Sequence, residues 1–153
     1  MKPNVAHLLL CFSLLNLLCG CGGSPRDRLV GRWHGRVQFD DEAVEDKLGE
    51  ANNPITKAVV EKLVTAAESG TMDCELKGDG EFTLTMELGP LSQDTYGQWE
   101  VVRQDAKEVT IRFTDPKGNI QDRTFKFLDD DTFTIDAPGK LKGLAVFKCT
   151  RVP

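Results

Sequence analysis

Few side chains in this sequence are of the types that carry out catalysis. The chain has 153 residues with two histidines and five cysteines, and after residue 21 only His34, Cys74 and Cys149 remain of these. A Cys–His pair could supply a nucleophile and its base. However, alternation along the predicted strands turns His34 outward and both cysteines inward, and no serine lies in a Gly-x-Ser-x-Gly turn. We therefore expect that the protein is not an enzyme.

Metal ligands are equally sparse. One histidine in the folded part and the absence of a Cys-x-x-Cys pair exclude a standard zinc site. The acidic clusters at 40–42 and 129–131 lack the Asp-x-Asp-x-Asp-Gly order of a calcium-binding loop. The formal net charge of −5 argues against nucleic acid as a partner, because phosphate binding needs a basic surface. We expect no cofactor, no metal and no nucleic acid.

The N-terminal segment predicts export. Lys2 precedes an apolar run over residues 5–18, which is too short to span a bilayer comfortably and is typical of a cleaved signal. The sequence then divides into a signal peptide over 1–20, a flexible tether over 21–28 and one folded domain over 29–153.

The end of this signal, Leu18-Cys19-Gly20-Cys21, resembles the lipobox of bacterial lipoproteins. The resemblance implies cleavage between Gly20 and Cys21 and a lipid on the Cys21 sulfur, so that the membrane is a partner through this anchor. Cys19 departs from the family, which usually has Ala, Ser, Thr or Val there. Gly22 rather than Asp after the lipidated residue favours the outer membrane, on its periplasmic face. The alternative is an ordinary secretory signal with Cys21 free.

The folded part is dominated by a period of two, which predicts β-strands with one apolar face. We predict eight strands, at about 31–39, 71–77, 81–88, 95–103, 108–114, 120–128, 132–136 and 144–151. Their near-regular spacing predicts a mainly β fold, an eight-stranded antiparallel up-and-down β-barrel. Residues 41–70 do not follow this period of two. They predict two helices separated at 52–54, with Asp40 or Asp41 as the N-cap of the first and Asn53 as the N-cap of the second. We expect this helix pair, inserted between strands 1 and 2, to bury its apolar stripe against the barrel mouth.

The chain is similar in this pattern to the lipocalin-like (calycin) barrels. Gly31-Arg32-Trp33 matches their Gly-x-Trp motif on the first strand, and Arg151 lies on the last strand. The resemblance implies that Trp33 closes the barrel floor and that the Arg151 guanidinium lies across its ring. Gly31, Trp33 and Arg151 are then determinants of the fold.

Cys74 and Cys149 could form a disulfide, because an exported protein meets oxidising conditions. In a closed meander both of their strands flank strand 1, about 9–10 Å apart, which is beyond disulfide reach unless the barrel is pinched there. Two buried free thiols are the alternative.

A ligand pocket is the remaining functional feature. Its candidate inward residues are Phe82, Leu84, Met86, Trp99, Phe113, Phe125 and Phe127. So many large side chains favour a packed core over a roomy cavity. Any pocket should lie toward the helical end, away from Trp33, and no inward charge is evident there to orient a carboxylate. We therefore keep two functions: a barrel that binds a small apolar ligand, and a packed scaffold that interacts with another envelope protein.

Overall fold

The protein is a closed barrel of eight antiparallel strands, in which each strand pairs with the next and β8 returns to β1. The computed structural model describes residues 24–51 and 53–153. The strands are β1 (Gly31–Phe39), β2 (Thr71–Leu76), β3 (Glu81–Leu88), β4 (Leu91–Gln104), β5 (Glu108–Thr114), β6 (Ile120–Asp129), β7 (Thr132–Asp136) and β8 (Ala145–Val152). The predicted up-and-down barrel is confirmed, and β4 begins four residues earlier than the pattern indicates. The predicted signal peptide, the cleavage site at Gly20 and the lipid-carrying Cys21 lie outside the described residues.

Alternation of apolar and polar residues builds the barrel wall. In β2, for example, Met72, Cys74 and Leu76 are buried, while Asp73 between them is exposed. Successive side chains of a strand point to opposite faces, so one face of each strand supplies the core. Among the described residues the fully buried side chains are all apolar, and they form one continuous cluster inside the barrel.

Within the described residues three α-helices accompany the barrel, α1 (Pro25–Leu29), α2 (Asp41–Glu50) and α3 (Pro54–Ala67), and a 3-10 turn lies at Gly139–Leu141. The helix pair α2–α3 lies between β1 and β2, as predicted. The side chains of Asp40 and Asn53 accept hydrogen bonds from the backbone N–H groups of Ala43 and Thr56, so both predicted caps are present. No helix in the described part of the chain combines the length and the apolar character that crossing a membrane requires.

Helix α3 buries only the C-terminal part of its apolar stripe, which corrects the sequence expectation. Ile55 is 79% exposed and Val59 is 54% exposed, and Ala67 is the buried residue of α3. The helix is held to the barrel at its C-terminal end, where a Cβ on Gly89 would lie 2.7 Å from the Ala66 carbonyl oxygen. The amphipathic pattern predicted burial, but a helix attached at one end exposes the rest of its apolar face to solvent.

The N-terminal segment is also more ordered than predicted. Ser24 and Asp27 form a reciprocal capping box at the start of α1, and Leu29 at its end is fully buried. Arg26 donates to the Gly78 carbonyl oxygen at 3.1 Å, and Arg28 donates to the Asp129 carbonyl oxygen at 3.0 Å. Residues 25–28, which the sequence analysis assigned to a flexible tether, are thus helical and hydrogen-bonded to the barrel.

Helix α1 closes the floor of the barrel together with Trp33 and Arg151. The Trp33 indole N–H donates to the Leu29 carbonyl oxygen at 2.9 Å, and the Arg151 guanidinium lies 4.3 Å from the Trp33 ring centroid. This is the position that the lipocalin-like pattern predicts for Arg151. A Cβ on Gly31 would lie 2.6 Å from the Arg151 Nη1 atom, and Gly31 has a φ of +142°, so both space and backbone favour glycine there.

Candidate functional site

The upper half of the barrel encloses a cavity of about 580 Å³. The lower half is filled by a chain of aromatic rings that runs from the floor to the cavity. Trp33 and Phe133 have ring centroids 4.7 Å apart, Phe133 and Phe125 4.6 Å, and Phe82 and Phe113 4.7 Å. The barrel is thus packed below and hollow above, so neither a fully packed core nor a fully open interior describes it.

Five of the seven predicted pocket residues line this cavity. They are Phe82, Leu84, Met86, Phe113 and Phe125, and they supply its apolar part together with Met72, Ile135 and Phe147. The prediction that the pocket lies away from Trp33 agrees with this lining. No residue of the helix pair in the described chain is among the lining residues, so α2 and α3 do not act as its lid in this conformation.

Trp99 and Phe127 do not line the cavity, which corrects the prediction for these two residues. Both belong to the floor. The Trp99 indole N–H donates to the Lys77 carbonyl oxygen at 3.0 Å, and the guanidinium of Arg28 lies 4.1 Å from the Phe127 ring centroid. Alternation gave their inward direction correctly, but it does not give their height in the barrel.

A gap beside the upper part of β4 opens the cavity to solvent. Residues Leu91 to Gln98 pair with β3, whereas pairing with β5 begins only at Gln98, opposite Thr114. Gly97 marks the crossing point, because a Cβ there would lie 2.1 Å from the Thr114 carbonyl oxygen. The lining residues at the gap are polar or exposed: Gln93, Asp94, Thr95, Tyr96, Asp115, Pro116, Lys117, Asn119 and Gln121. The cavity is therefore apolar inside and polar at its opening.

Arg123 is an inward-facing charge that the sequence analysis missed. It lies on β6 directly opposite the buried Ile111 and lines the cavity. Its Nη2 atom donates to the Gln121 Oε1 atom at 3.1 Å, and within the described residues it makes no salt bridge. The signal was present in the sequence, because Arg123 shares the period-two face of Phe125 and Phe127. It was overlooked because a charged residue on a barrel strand is most often assigned to the outer face.

Two of the three carboxylates that line the cavity are engaged elsewhere, and the third, Asp136, lies at the end of β7. Asp94 accepts a hydrogen bond from the Thr85 hydroxyl at 2.8 Å. The Asn119 side chain, and then backbone N–H groups of the same turn, hold the pKa of Asp115 below its ordinary value. Asp115 therefore stays ionised and bound to its own turn, while Arg123 keeps a guanidinium directed at the cavity without a carboxylate partner.

The two cysteines of the barrel are free thiols in the structure, so the disulfide alternative is not realised there. Cys74 lines the cavity and Cys149 lies beside Gly35, on the two strands that flank β1. Burial raises the pKa of Cys74 to about 12 and raises the pKa of Cys149 further. Both groups are protonated at neutral pH, and a protonated thiol is a poor nucleophile.

His34 lies on the outer face, where its Nδ1 atom is 2.8 Å from the Asp73 Oδ1 atom. Its side chain is 38% exposed and does not line the cavity. The part of the chain that the structure describes contains no group of three or more His, Cys, Asp or Glu side chains that could hold a metal ion. The cavity is therefore the strongest candidate for a functional site among the described residues.

No family model matches this chain, and no curated protein matches it. Among solved structures, "As-p18, an extracellular fatty acid binding protein" aligns with 82% of this chain and 97% of its own length, at 12% sequence identity and a TM-score of 0.38. A likeness of this size says nothing about the ligand, so the function is derived from the cavity itself.

Proposed function

We propose that the barrel binds a small amphiphilic ligand, with an apolar chain inside the cavity and an anionic group at Arg123. The observation that carries this proposal is a cavity of about 580 Å³ with a guanidinium in its wall that makes no salt bridge among the described residues. Sites for small ligands typically have volumes of about 300–1,000 Å³, mostly apolar walls and a few placed polar groups. The cavity matches this volume and its inner wall is apolar, whereas polar residues are concentrated at its opening.

The residues that line the cavity fit a ligand with an apolar part and an anionic part. Phe82, Phe113 and Phe125 offer aromatic surface for the apolar part, and its burial supplies most of the binding free energy. Arg123 and Gln121 lie closer to the opening and can donate to a carboxylate or a phosphate. A neutral ligand of the same length would leave the guanidinium without an anionic partner, so the site favours the anion.

Dodecanoate and dodecanol test this proposal, because they share a chain and differ in the charge of one end. We expect displacement of a fluorescent dye from the cavity to show tighter binding of dodecanoate. A hydrogen bond to a charged group contributes about 1.5–3 kcal/mol, so Arg123→Gln should weaken dodecanoate binding about 10- to 100-fold. The same change should leave dodecanol binding within about threefold.

Two further variants separate the cavity from the rest of the barrel. Leu84→Trp fills the cavity and should weaken both ligands, whereas Arg112→Gln removes a guanidinium from the outer wall and should weaken neither. Undiminished dodecanoate binding by Leu84→Trp would show that the ligand lies elsewhere. Equal loss of dodecanol and dodecanoate in Arg123→Gln would remove the assigned role of Arg123.

We further propose that Cys21 anchors this barrel to a bacterial membrane, and that the outer membrane is its destination. The lipobox residues support the anchor, and Ser24 at the floor is three residues from Cys21, a reach of at most about 10 Å. Incorporation of an alkyne-tagged palmitate into the wild-type protein, and its loss in Cys21→Ser, is the expected result. Labelling that persists in Cys21→Ser would place the lipid on another residue.

The exposed stripe of α3 favours the second function, a scaffold that interacts with another protein of the envelope. Ile55 and Val59 are large apolar residues that the barrel leaves in solvent. A photo-crosslinking amino acid at Val59 should then capture a specific protein in whole cells, and the same group at Glu61 should not. Absence of a captured species at Val59 would remove this alternative.

A further inference from the structure

The outer wall of the barrel carries its charges unevenly. On the face formed by β6, β7, β8 and β1, cross-strand pairing places Arg36 directly opposite Lys148, and Thr134 separates Lys148 from Lys126. Arg32 is on the same face, opposite Val152 near the floor. We call this face the basic wall. Its four cations are all exposed: Arg32, Arg36, Lys126 and Lys148.

These cations are not explained by the fold. Like charges directly opposite each other on neighbouring strands destabilise a sheet, yet Arg36 and Lys148 are such a pair. Within the described residues none of the four makes a salt bridge. Two of the cations have an acidic cross-strand neighbour with which they form no ion pair: Glu75 lies opposite Arg32, and Glu108 lies opposite Lys126. Asp136 lies at the end of β7.

The adjoining side of the barrel, formed by β2, β3 and β4, has the opposite charge. The exposed or half-exposed acidic residues on β2, β3 and β4 are Asp73, Glu75, Glu81, Glu87, Asp94 and Glu100. Since the whole chain has a formal net charge of −5, four cations gathered on one wall are a departure from its average. The molecule is electrostatically polarised across the barrel.

We propose that the basic wall rests on the surface of a membrane that contains anionic lipids. A row of long basic side chains on adjacent strands spans about 14 Å, because strands are about 4.8 Å apart. Such a row meets several phosphate groups without requiring that any one of them be fixed in place. Leu128 is 60% exposed and Val152 is 39% exposed on the same wall, and both can contact the interface between head groups and chains.

The proposed anchor favours a membrane over an acidic protein as the partner. A chain lipidated at Cys21 and folded from Ser24 holds the barrel within about 10 Å of the bilayer in any orientation. The charges then decide which face turns toward the lipid. The inference goes beyond the cavity function, and it uses the anchor only in choosing the partner.

Sedimentation with vesicles tests the wall without the anchor. The chain from residue 21 with Cys21→Ser contains every residue of the closed barrel and of its core, so it is a folding unit. We expect it to bind vesicles of one part phosphatidylglycerol to two parts phosphatidylcholine, and not to bind phosphatidylcholine alone. Binding should weaken as salt is added, because exposed charges are screened.

Removing three cations should remove most of the binding. Each basic residue near an anionic surface changes the partition coefficient about fivefold, so a triple variant should bind about 100-fold more weakly. The test variant is Arg36→Gln/Lys126→Gln/Lys148→Gln. The control variant is Lys47→Gln/Lys57→Gln/Lys62→Gln, which makes the same change in net charge on the helix pair.

The control should bind the anionic vesicles within about threefold of the parent chain. Circular dichroism melting should show that both variants fold, and the test variant should be no less stable than its parent, since it loses the opposed pair Arg36 and Lys148. Equal binding by the two variants would overturn the proposal. So would failure of the parent chain to bind anionic vesicles, including the case in which it binds an acidic protein instead.

Discussion

Arg151 contacts three groups of the barrel floor, and its replacement by alanine should remove all of these contacts. Its Nη1 and Nη2 atoms donate to the carbonyl oxygens of Val30 and Arg28 at 2.9 and 2.7 Å. Its guanidinium also lies 4.3 Å from the Trp33 ring centroid, and its Nε atom donates to Asp131 at 2.7 Å. The side chain is 28% exposed, so most of these contacts are shielded from water.

The expected loss can be worked from these contacts. The cation–π contact contributes about 1 kcal/mol at a partly buried site. Each of the two charged hydrogen bonds to a backbone carbonyl contributes about 1.5 kcal/mol, and the bond to Asp131 adds little because that carboxylate is 72% exposed. Arg151→Ala should therefore lower the free energy of unfolding by about 3–4 kcal/mol. Arg151→Lys keeps the charge but cannot serve both carbonyls, so it should lose about half as much.

Urea unfolding followed by circular dichroism measures this difference. With a urea dependence of about 1.5–2 kcal/mol per molar, the midpoint of Arg151→Ala should fall by roughly 2 M. Arg112→Ala is the matched control, because Arg112 makes a two-point contact with Asp122 on the exposed wall. Exposed ion pairs contribute little, so its midpoint should barely change. Equal shifts for the two variants would refute the assignment of Arg151 to the floor.

Three further outcomes follow from the same structure. Gly97→Ala should lower the unfolding free energy by at least about 3 kcal/mol, because the added Cβ would meet the Thr114 carbonyl oxygen and φ is +155°. Gly118 has a φ of +82° and open space around it, so Gly118→Ala should lower the unfolding free energy by only about 1 kcal/mol in the same urea experiment. Because burial raises the pKa of Cys74 from 9.0 to about 12, the folded state holds that proton more tightly than the unfolded state. The stability that the protonated Cys74 contributes is fully present below pH 9 and declines as the pH rises toward 12. The melting temperature should therefore fall over that range, and it should fall less in Cys74→Ala. Ile55→Ala should change the unfolding free energy by less than about 0.5 kcal/mol, and amides of α3 should exchange hydrogen faster than those of the strands, because that face is in solvent.

The barrel itself was predictable because its strands obey one rule. A strand with a buried inner face and a solvent-exposed outer face must alternate apolar and polar residues. The turns between the strands are marked by glycine and aspartate, as at 78–80. The start of β4 was missed for a related reason. Its first residues lie beside the gap, where no strand on one side and no core beneath impose alternation.

The helices were harder to predict, since their positions depend on tertiary contacts. Caps at Asp40 and Asn53 fixed where α2 and α3 begin. An amphipathic stripe, however, states only that a helix has an apolar face, and not that the fold covers it. Helix α1 has five residues and too little sequence to show a period, and it is stabilised by contacts of Arg26 and Arg28 with distant turns.

The candidate site was half predictable for the same physical reason. Alternation identifies which residues point inward, and five of the seven proposed residues line the cavity. The cavity exists because the upper barrel lacks the aromatic stack that fills the lower barrel, and that difference depends on the relative heights of neighbouring strands. Arg123 could have been found, because its spacing from Phe125 is the spacing that placed Phe125 inside.

The cavity opening lies away from β8, which is near the centre of the basic wall. The opening is between the upper parts of β4 and β5, three to four strands from β8 in a closed ring of eight, and of the four cations Lys126 on β6 is the nearest to it. A barrel that rests on the membrane with its basic wall therefore turns its opening toward the aqueous phase. Its ligand would then be exchanged with water, a soluble carrier or an opposing surface, and not with the lipid directly beneath it. The polar lining of the opening fits this orientation, because an entrance that faced the lipid tails would need an apolar rim.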